Sequence, residues 1–174
     1  MKEEWQARMD AAFDGYFAMS DALRDDVEAI LRSDDGSQSF RRNFIRAACA
    51  LGEGYAACFR EICAIGLETG PGDLTADEVK ALLDERSLDS VERTKFTLRA
   101  AYKMLQLPAP PNFGDGGWVN AQVLLTKRDG LMHPKSMDEL TVNDAHWEKI
   151  YEGTRWLFGQ LFGLVDQLRL KHGS

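Results

Sequence analysis

The chain is poor in the residues that usually hold metals. It has three histidines, and His146 and His172 lack ligand-like neighbours at metal-site spacing, so neither a metal nor a cofactor is expected. Its three cysteines, Cys49, Cys58 and Cys63, share one stretch and form no Cys-x-x-Cys, which favours packed, reduced thiols in a cytoplasmic protein. The opening Met1-Lys2-Glu3-Glu4-Trp5-Gln6 has no apolar signal-peptide core. No apolar run approaches membrane-spanning length, so a soluble protein without a membrane partner is expected. Excess positive charge is also missing. A net charge of −7 argues against a general nucleic-acid coat and leaves room only for a local basic patch. No Gly-Lys-Ser/Thr follows the glycines at Gly114-Asp115-Gly116-Gly117, and neither G-x-S-x-G nor H-E-x-x-H occurs. Strand alternation, internal repeats and low-complexity tracts are absent.

What is present is helical periodicity. With 174 residues and 44% hydrophobic content, the chain suits one domain over residues 1–174 with a good core. Trp5, Met9, Phe13, Tyr16, Phe17, Leu23, Val27, Ile30 and Leu31 mark a long first helix over about 3–31. Asp34-Asp35-Gly36 turns the chain, and Ser37 or Ser39 can cap a second helix over about 40–66. That helix turns Phe40, Phe44, Ala47, Leu51, Tyr55, Cys58 and Ile62 inward. Its opposite stripe is Arg42, Arg46, Cys49, Glu53, Ala56 and Arg60, either a solvated face or a source of groups for a neighbouring helix. Ala50, Gly54 and Ala57 leave room for another helix to come close.

Gly70-Pro71-Gly72 ends this unit, and Thr75-Ala76-Asp77-Glu78 is a capping box for a short helix. Asp89-Ser90-Val91-Glu92 opens a helix to about Gln106, with Val91, Leu98, Tyr102 and Leu105 inward. Residues 107–117 form the longest loop, a connector or a lid. Thr141-Val142-Asn143-Asp144 caps a last helix to about Leu170. This helix turns Trp147, Ile150, Tyr151, Leu157, Leu161, Leu164, Val165 and Leu168 inward. Trp156, Phe158 and Phe162 widen its apolar face, as for a helix packed on two sides or a subunit interface. The fold class is all-α, an up-and-down bundle of four to six helices. Its long helices should be the first, second, fourth and last.

One stretch carries chemistry: Leu124-Leu125-Thr126-Lys127-Arg128-Asp129-Gly130-Leu131-Met132-His133-Pro134. Arg128 follows Ala121, Leu124 and Leu125 on helical spacing and so projects from the apolar side of its helix. Pro134 drives His133 out of the helical region, so the helix stops near it. In an unbroken helix Arg128 and His133 would stand about 140° apart. Gly130 and Pro134 are expected to loosen this end and let His133 fold back beside Arg128.

The segment Arg128-Asp129-Gly130-Leu131-Met132-His133 resembles the R-x4-6-H motif of the HEPN family, small all-helical domains that include many metal-independent ribonucleases. The polar residue that often follows the family's Arg is matched by Asp129. The stretch Arg41-Arg42-Asn43-Phe44-Ile45-Arg46-Ala47-Ala48-Cys49-Ala50-Leu51-Gly52-Glu53 is similar to the family's basic, Ala-rich helix with an embedded Glu. The resemblance covers residues from about Ser37 to the C-terminus. It implies a HEPN-like endoribonuclease that attacks RNA with its own 2′-hydroxyl, in a toxin or antiviral-defence setting with an antitoxin or defence partner. The alternative is an inactive HEPN-like module that binds a nucleotide or a partner protein.

The residue types suit the reaction. An imidazole can take or give a proton near neutral pH, the task assigned to His133. A guanidinium binds phosphate through two hydrogen bonds and keeps its charge, the task assigned to Arg128. Asp129 is expected to orient this pair or cap the helix and Glu53 to support it, while Arg42, Arg46, Lys127 and Lys135 are expected to bind the RNA. One His cannot easily be both acid and base. In the family two protomers supply one each, so a homodimer is expected. A toxin branch carries a Tyr two residues after the His, the site of nucleotide modification by an antitoxin. Lys135 stands there instead, which leaves that form of control without its residue.

Overall fold

A computed structural model describes residues 2–68, 70, 72–83, 88–108 and 110–172, with side chains described between residues 4 and 167. Seven helices and no strand form among the described residues, as the periodicity predicts. They are α1 (Lys2–Arg32), α2 (Gln38–Leu67), α3 (Ala76–Leu83), α4 (Ser90–Met104), α5 (Gly116–Met132), α6 (Met137–Leu140) and α7 (Asp144–His172). The seventh element beyond the expected six is α6, a single turn. Pro71 and the side chains of Leu168 and His172 lie outside the described residues.

Helix ends follow their local chemistry. The Ser37 hydroxyl accepts from the Phe40 N–H at 3.0 Å and starts α2. At α3 the box closes in both directions: Glu78 N–H donates to Thr75 Oγ1 at 3.2 Å, and Thr75 N–H donates to Glu78 Oε2 at 2.8 Å. Asp89 caps α4 through Glu92 N–H, and Asn143 caps α7 through His146 N–H, both at 2.8 Å. Helix α4 stops two residues before the expected Gln106, which takes a positive φ of 49°.

Helix α2 is the centre of the bundle. Phe44, Ile45, Ala48, Leu51, Phe59 and Ile62 are almost wholly buried, and a core of this kind contributes about 1.5–3 kcal/mol for each large apolar side chain. Helix α1 runs antiparallel to α2: Trp5 Nε1 donates to Ile65 O, Arg8 is paired with Glu68, and Gly54 faces Met19 and Leu23. Gly54 in the small-residue stripe is therefore covered by α1 of the same chain, while Ala50 and Ala57 stay exposed. Helix α4 covers another side, and the buried carboxylate of Glu78 joins α3 to it through Lys103 Nζ at 2.7 Å. Burial pushes the Glu78 carboxyl up, but the Lys103 ammonium and the Thr75 N–H outweigh it and hold it below the usual range.

Helices α5 and α7 run antiparallel and approach closely at two glycines. Gly117 lies under the Trp156 indole, and Gly153 lies against the Asn120–Ala121 backbone. Trp156 also packs on Phe113 and Trp118, while Phe162 packs on Tyr55 and lies under the Arg24 guanidinium. The wide apolar face of α7 thus meets α5 on one side and α1–α2 on the other. Tyr151, expected inward, is 43% exposed because it sits at the rim beside Phe44 and Trp147. The 107–117 loop is clamped at Phe113, whose ring sits beneath Lys95 and Arg99 of α4. Phe113 sits at the start of α5, about 20 Å along the axis from Arg128, so the loop is a connector and not a lid over that end.

Candidate functional site

The end of α5 lies against α2 and α4. Buried Ala121, Leu124 and Leu125 fix which way the helix faces, and one turn further on this face brings Arg128 to the edge of the core. Its side chain is 27% exposed. Nη2 donates to Glu53 Oε2 of α2 at 2.9 Å, and Nη1 donates to Asp129 Oδ1 at 3.1 Å. The second oxygen of Asp129, Oδ2, accepts from Ser90 Oγ at the first residue of α4, at 2.7 Å. Three helices therefore meet in one chain of polar contacts, Glu53–Arg128–Asp129–Ser90. Beneath it lies Cys49, 1% exposed, whose thiol burial drives far up, with Glu53 adding to the shift and Arg128 opposing it.

Helix α5 does not loosen at Gly130. It continues to Met132 and breaks at His133, where φ is −133° and ψ is 59°, as Pro134 requires. The His133 N–H still reaches Asp129 O at 3.3 Å. Its imidazole is exposed, and among the described residues no hydrogen bond or ion pair joins it to Arg128. His133 thus caps the helix that presents Arg128, with its ring open to solvent.

The basic residues of α2 have a definite structural task. Arg46 Nη2 approaches Leu131 O at 3.4 Å, Arg42 Nη1 donates to Leu140 O at 3.2 Å, and Arg41 Nη1 donates to Val142 O at 2.7 Å. Arg41 also pairs with Asp144 at 2.6 Å and lies over the Trp147 ring. Gln38 exchanges two hydrogen bonds with the Val142 backbone, at 2.7 and 2.9 Å. From α5, Lys127 Nζ donates to Thr141 O at 2.8 Å and Asp138 O at 3.4 Å. Burial lowers its ammonium pKa, and the charges of Glu139 and Asp138 oppose that effect. Exposed Lys135 is fixed through its backbone N–H, which donates to the Glu139 carboxylate.

These contacts correct the solvated-face reading for part of the α2 stripe: Cys49, Ala56 and Arg60 on it are buried and Arg42 is half-buried, while Arg46 and Glu53 are exposed. Arg128, Asp129 and Glu53 are brought into one cluster, Lys127, Arg42 and Arg46 surround the segment that follows it, and Lys135 lies within that segment. Sequence reasoning missed Ser90 as a member of the cluster. It read that residue only as part of a helix start, and a hydroxyl meeting an acid thirty-nine positions away leaves no local pattern. Among the described residues no three His, Cys, Asp or Glu side chains are grouped to hold a metal ion, and no helix is long and apolar enough to cross a membrane.

The molecule thus belongs to the class of all-helical proteins with a charged cluster where three helices meet. No family model matches the chain, and no curated protein or solved structure matches it either.

Proposed function

We propose that the protein is a HEPN-like, metal-independent endoribonuclease whose site is Arg128 and His133. The observation that carries this reading is the half-buried Arg128, fixed by Glu53 and Asp129 on the helix that His133 ends. In the proposed reaction the exposed imidazole takes the proton of an RNA 2′-hydroxyl. The 2′-oxygen attacks the adjacent phosphorus, the bond to the 5′-oxygen breaks, and that oxygen leaves with a proton. The products are a 2′,3′-cyclic phosphate and a 5′-hydroxyl. Arg128 matches the negative charge that grows on the phosphate. The leaving-group proton comes from the protonated imidazolium of His133 in a second copy, so the proposed active form is a homodimer. A toxin or antiviral-defence role in the cytoplasm, with a protein partner, fits an RNA-cutting activity of this kind.

The direct test is cleavage of single-stranded RNA in EDTA by purified protein. His133→Ala is expected to lose about 10²–10⁴ in rate, and Arg128→Ala a comparable amount. Wild-type cleavage by His133→Ala would refute the assignment. One observation favours a second reading: two carboxylates, Glu53 and Asp129, already flank Arg128 and offset its charge. On that reading the protein is an inactive HEPN-like module that binds a nucleotide or a partner protein. Saturable nucleotide binding without cleavage would select it.

A further inference from the structure

The geometry points to Ser90 as a positioning residue that latches Asp129 onto Arg128 and so leaves Glu53 as the carboxylate a phosphate displaces. This rests on the reading that Arg128 receives a phosphate. Asp129 directly follows Arg128 in an intact helix, where neighbouring side chains project about 100° apart and do not face each other. A contact of 3.1 Å between them therefore needs an outside restraint. Ser90 supplies it, donating to Asp129 Oδ2 at 2.7 Å while Oδ1 holds Arg128.

Ser90 is itself well fixed. It is the first residue of α4, directly after the Asp89 cap, and its carbonyl accepts from Thr94 Oγ1 at 2.8 Å. Both oxygens of Asp129 are thus engaged by partners on different helices. Glu53 has no such support. Among the described residues, Arg128 is the one hydrogen-bond or ion-pair partner of its side chain. Both carboxylates are equally open, with side chains 45% exposed, so the difference between them is tethering and not burial. A phosphate approaching the guanidinium competes with Glu53 for Nη2 and leaves the Asp129 edge intact. Glu53 then screens Arg128 in the empty protein, and Asp129 sets the plane in which the guanidinium waits.

The test uses the full chain with Ser90→Ala, Ser90→Thr and Glu53→Gln. Binding is read with a fully 2′-deoxy oligonucleotide, which cannot be cut, and with inorganic phosphate. Ser90→Ala is expected to lower kcat about tenfold, the kinetic equivalent of one hydrogen bond, with KM nearly unchanged. Ser90→Thr, which keeps the hydroxyl, should recover most of that loss. Glu53→Gln should tighten oligonucleotide binding several-fold, because a competing charge is gone. In parallel, nitrogen NMR of the Arg128 side chain should show faster rotation of the guanidinium in Ser90→Ala and a shift on phosphate addition. Unchanged kcat and unchanged rotation in Ser90→Ala would overturn the latch, and weaker binding by Glu53→Gln would overturn the displacement. A wild type that never cuts RNA sinks the nuclease reading alone, because the NMR and binding arms still decide the roles of Ser90 and Glu53.

Discussion

The α5–α7 crossing places Arg128, so the substitution Gly153→Ala tests how the site is held. A Cβ at Gly153 would lie 2.4 Å from both the carbonyl carbon and oxygen of Asn120, and 2.6 Å from Ala121 N. These separations are about 1 Å inside ordinary van der Waals contact, and the atoms are backbone, which cannot rotate aside. The helices must part. Overpacking typically costs about 1–3 kcal/mol, and a clash with backbone belongs at or above the top of that range. Alanine in a helix interior gives back about 1 kcal/mol relative to glycine. The net expectation is a loss of about 2 kcal/mol, or about 4–8 °C in Tm for a chain of this size. Thermal unfolding followed by circular dichroism measures it. Gly159→Ala in the same helix is the control: its Cβ meets nothing within 4 Å, so the propensity gain should stand alone and raise Tm slightly. A Gly153→Ala protein as stable as the Gly159→Ala protein would refute the close crossing.

Glu78→Gln should cost about 1–3 kcal/mol by weakening the α3 cap and leaving Lys103 without its charged partner, as read by urea unfolding. Because the folded Glu78 carboxyl is held below its ordinary value of 4.5, its contribution is full above that pH and fades as pH falls through the lower folded value. Stability of Glu78→Gln should therefore fall less than wild type on acidification below about pH 4.5. Burial pushes the Cys58 and Cys63 thiols up to about 12, and Cys49 also rises far above its usual value. All three should resist a thiol reagent in the native protein and react fully in denaturant; rapid native labelling of any would contradict its burial. Replacing Gln38 by Ala removes two hydrogen bonds to Val142, so amide hydrogen exchange should rise at Val142, with α7 beyond Ile150 unaffected.

Much of the helical layout was legible because caps and periodicity are local. Ser37, the Thr75–Glu78 box, Asp89 and Asn143 all act where their residue types indicate, and the first, second and last helices are the long ones expected, although α5 with 17 residues exceeds α4 with 15. The pairing of Glu53 with a group on a neighbouring helix was legible as one of two readings of the α2 stripe. The glycines at 117 and 153 were not, since a missing side chain gives no sign of whether an indole or a backbone will occupy its space. Gly54 and the aromatic face of α7 suggested a second copy, and the same chain fills both. Small and apolar surfaces announce that something will cover them, but not whether it lies within the chain or outside it.

The grip that α2 and α5 keep on the chain either side of His133 is made mostly on main-chain oxygens. Leu131 O, Asp138 O, Leu140 O, Thr141 O and Val142 O accept from Arg46, Lys127, Arg42 and Arg41, with Gln38 joining at Val142. A carbonyl is present whatever side chain its residue carries, and proline keeps it too. The side chains of Lys135, Ser136, Met137 and Asp138 are therefore free to change while the scaffold keeps its shape, whereas Glu139 accepts from the Lys135 N–H, Leu140 packs against the core and the Thr141 hydroxyl donates to Met137 O. The first four already face outward. Evolution or an engineer can rewrite that stretch, one substitution at a time, without first rebuilding the helices behind it.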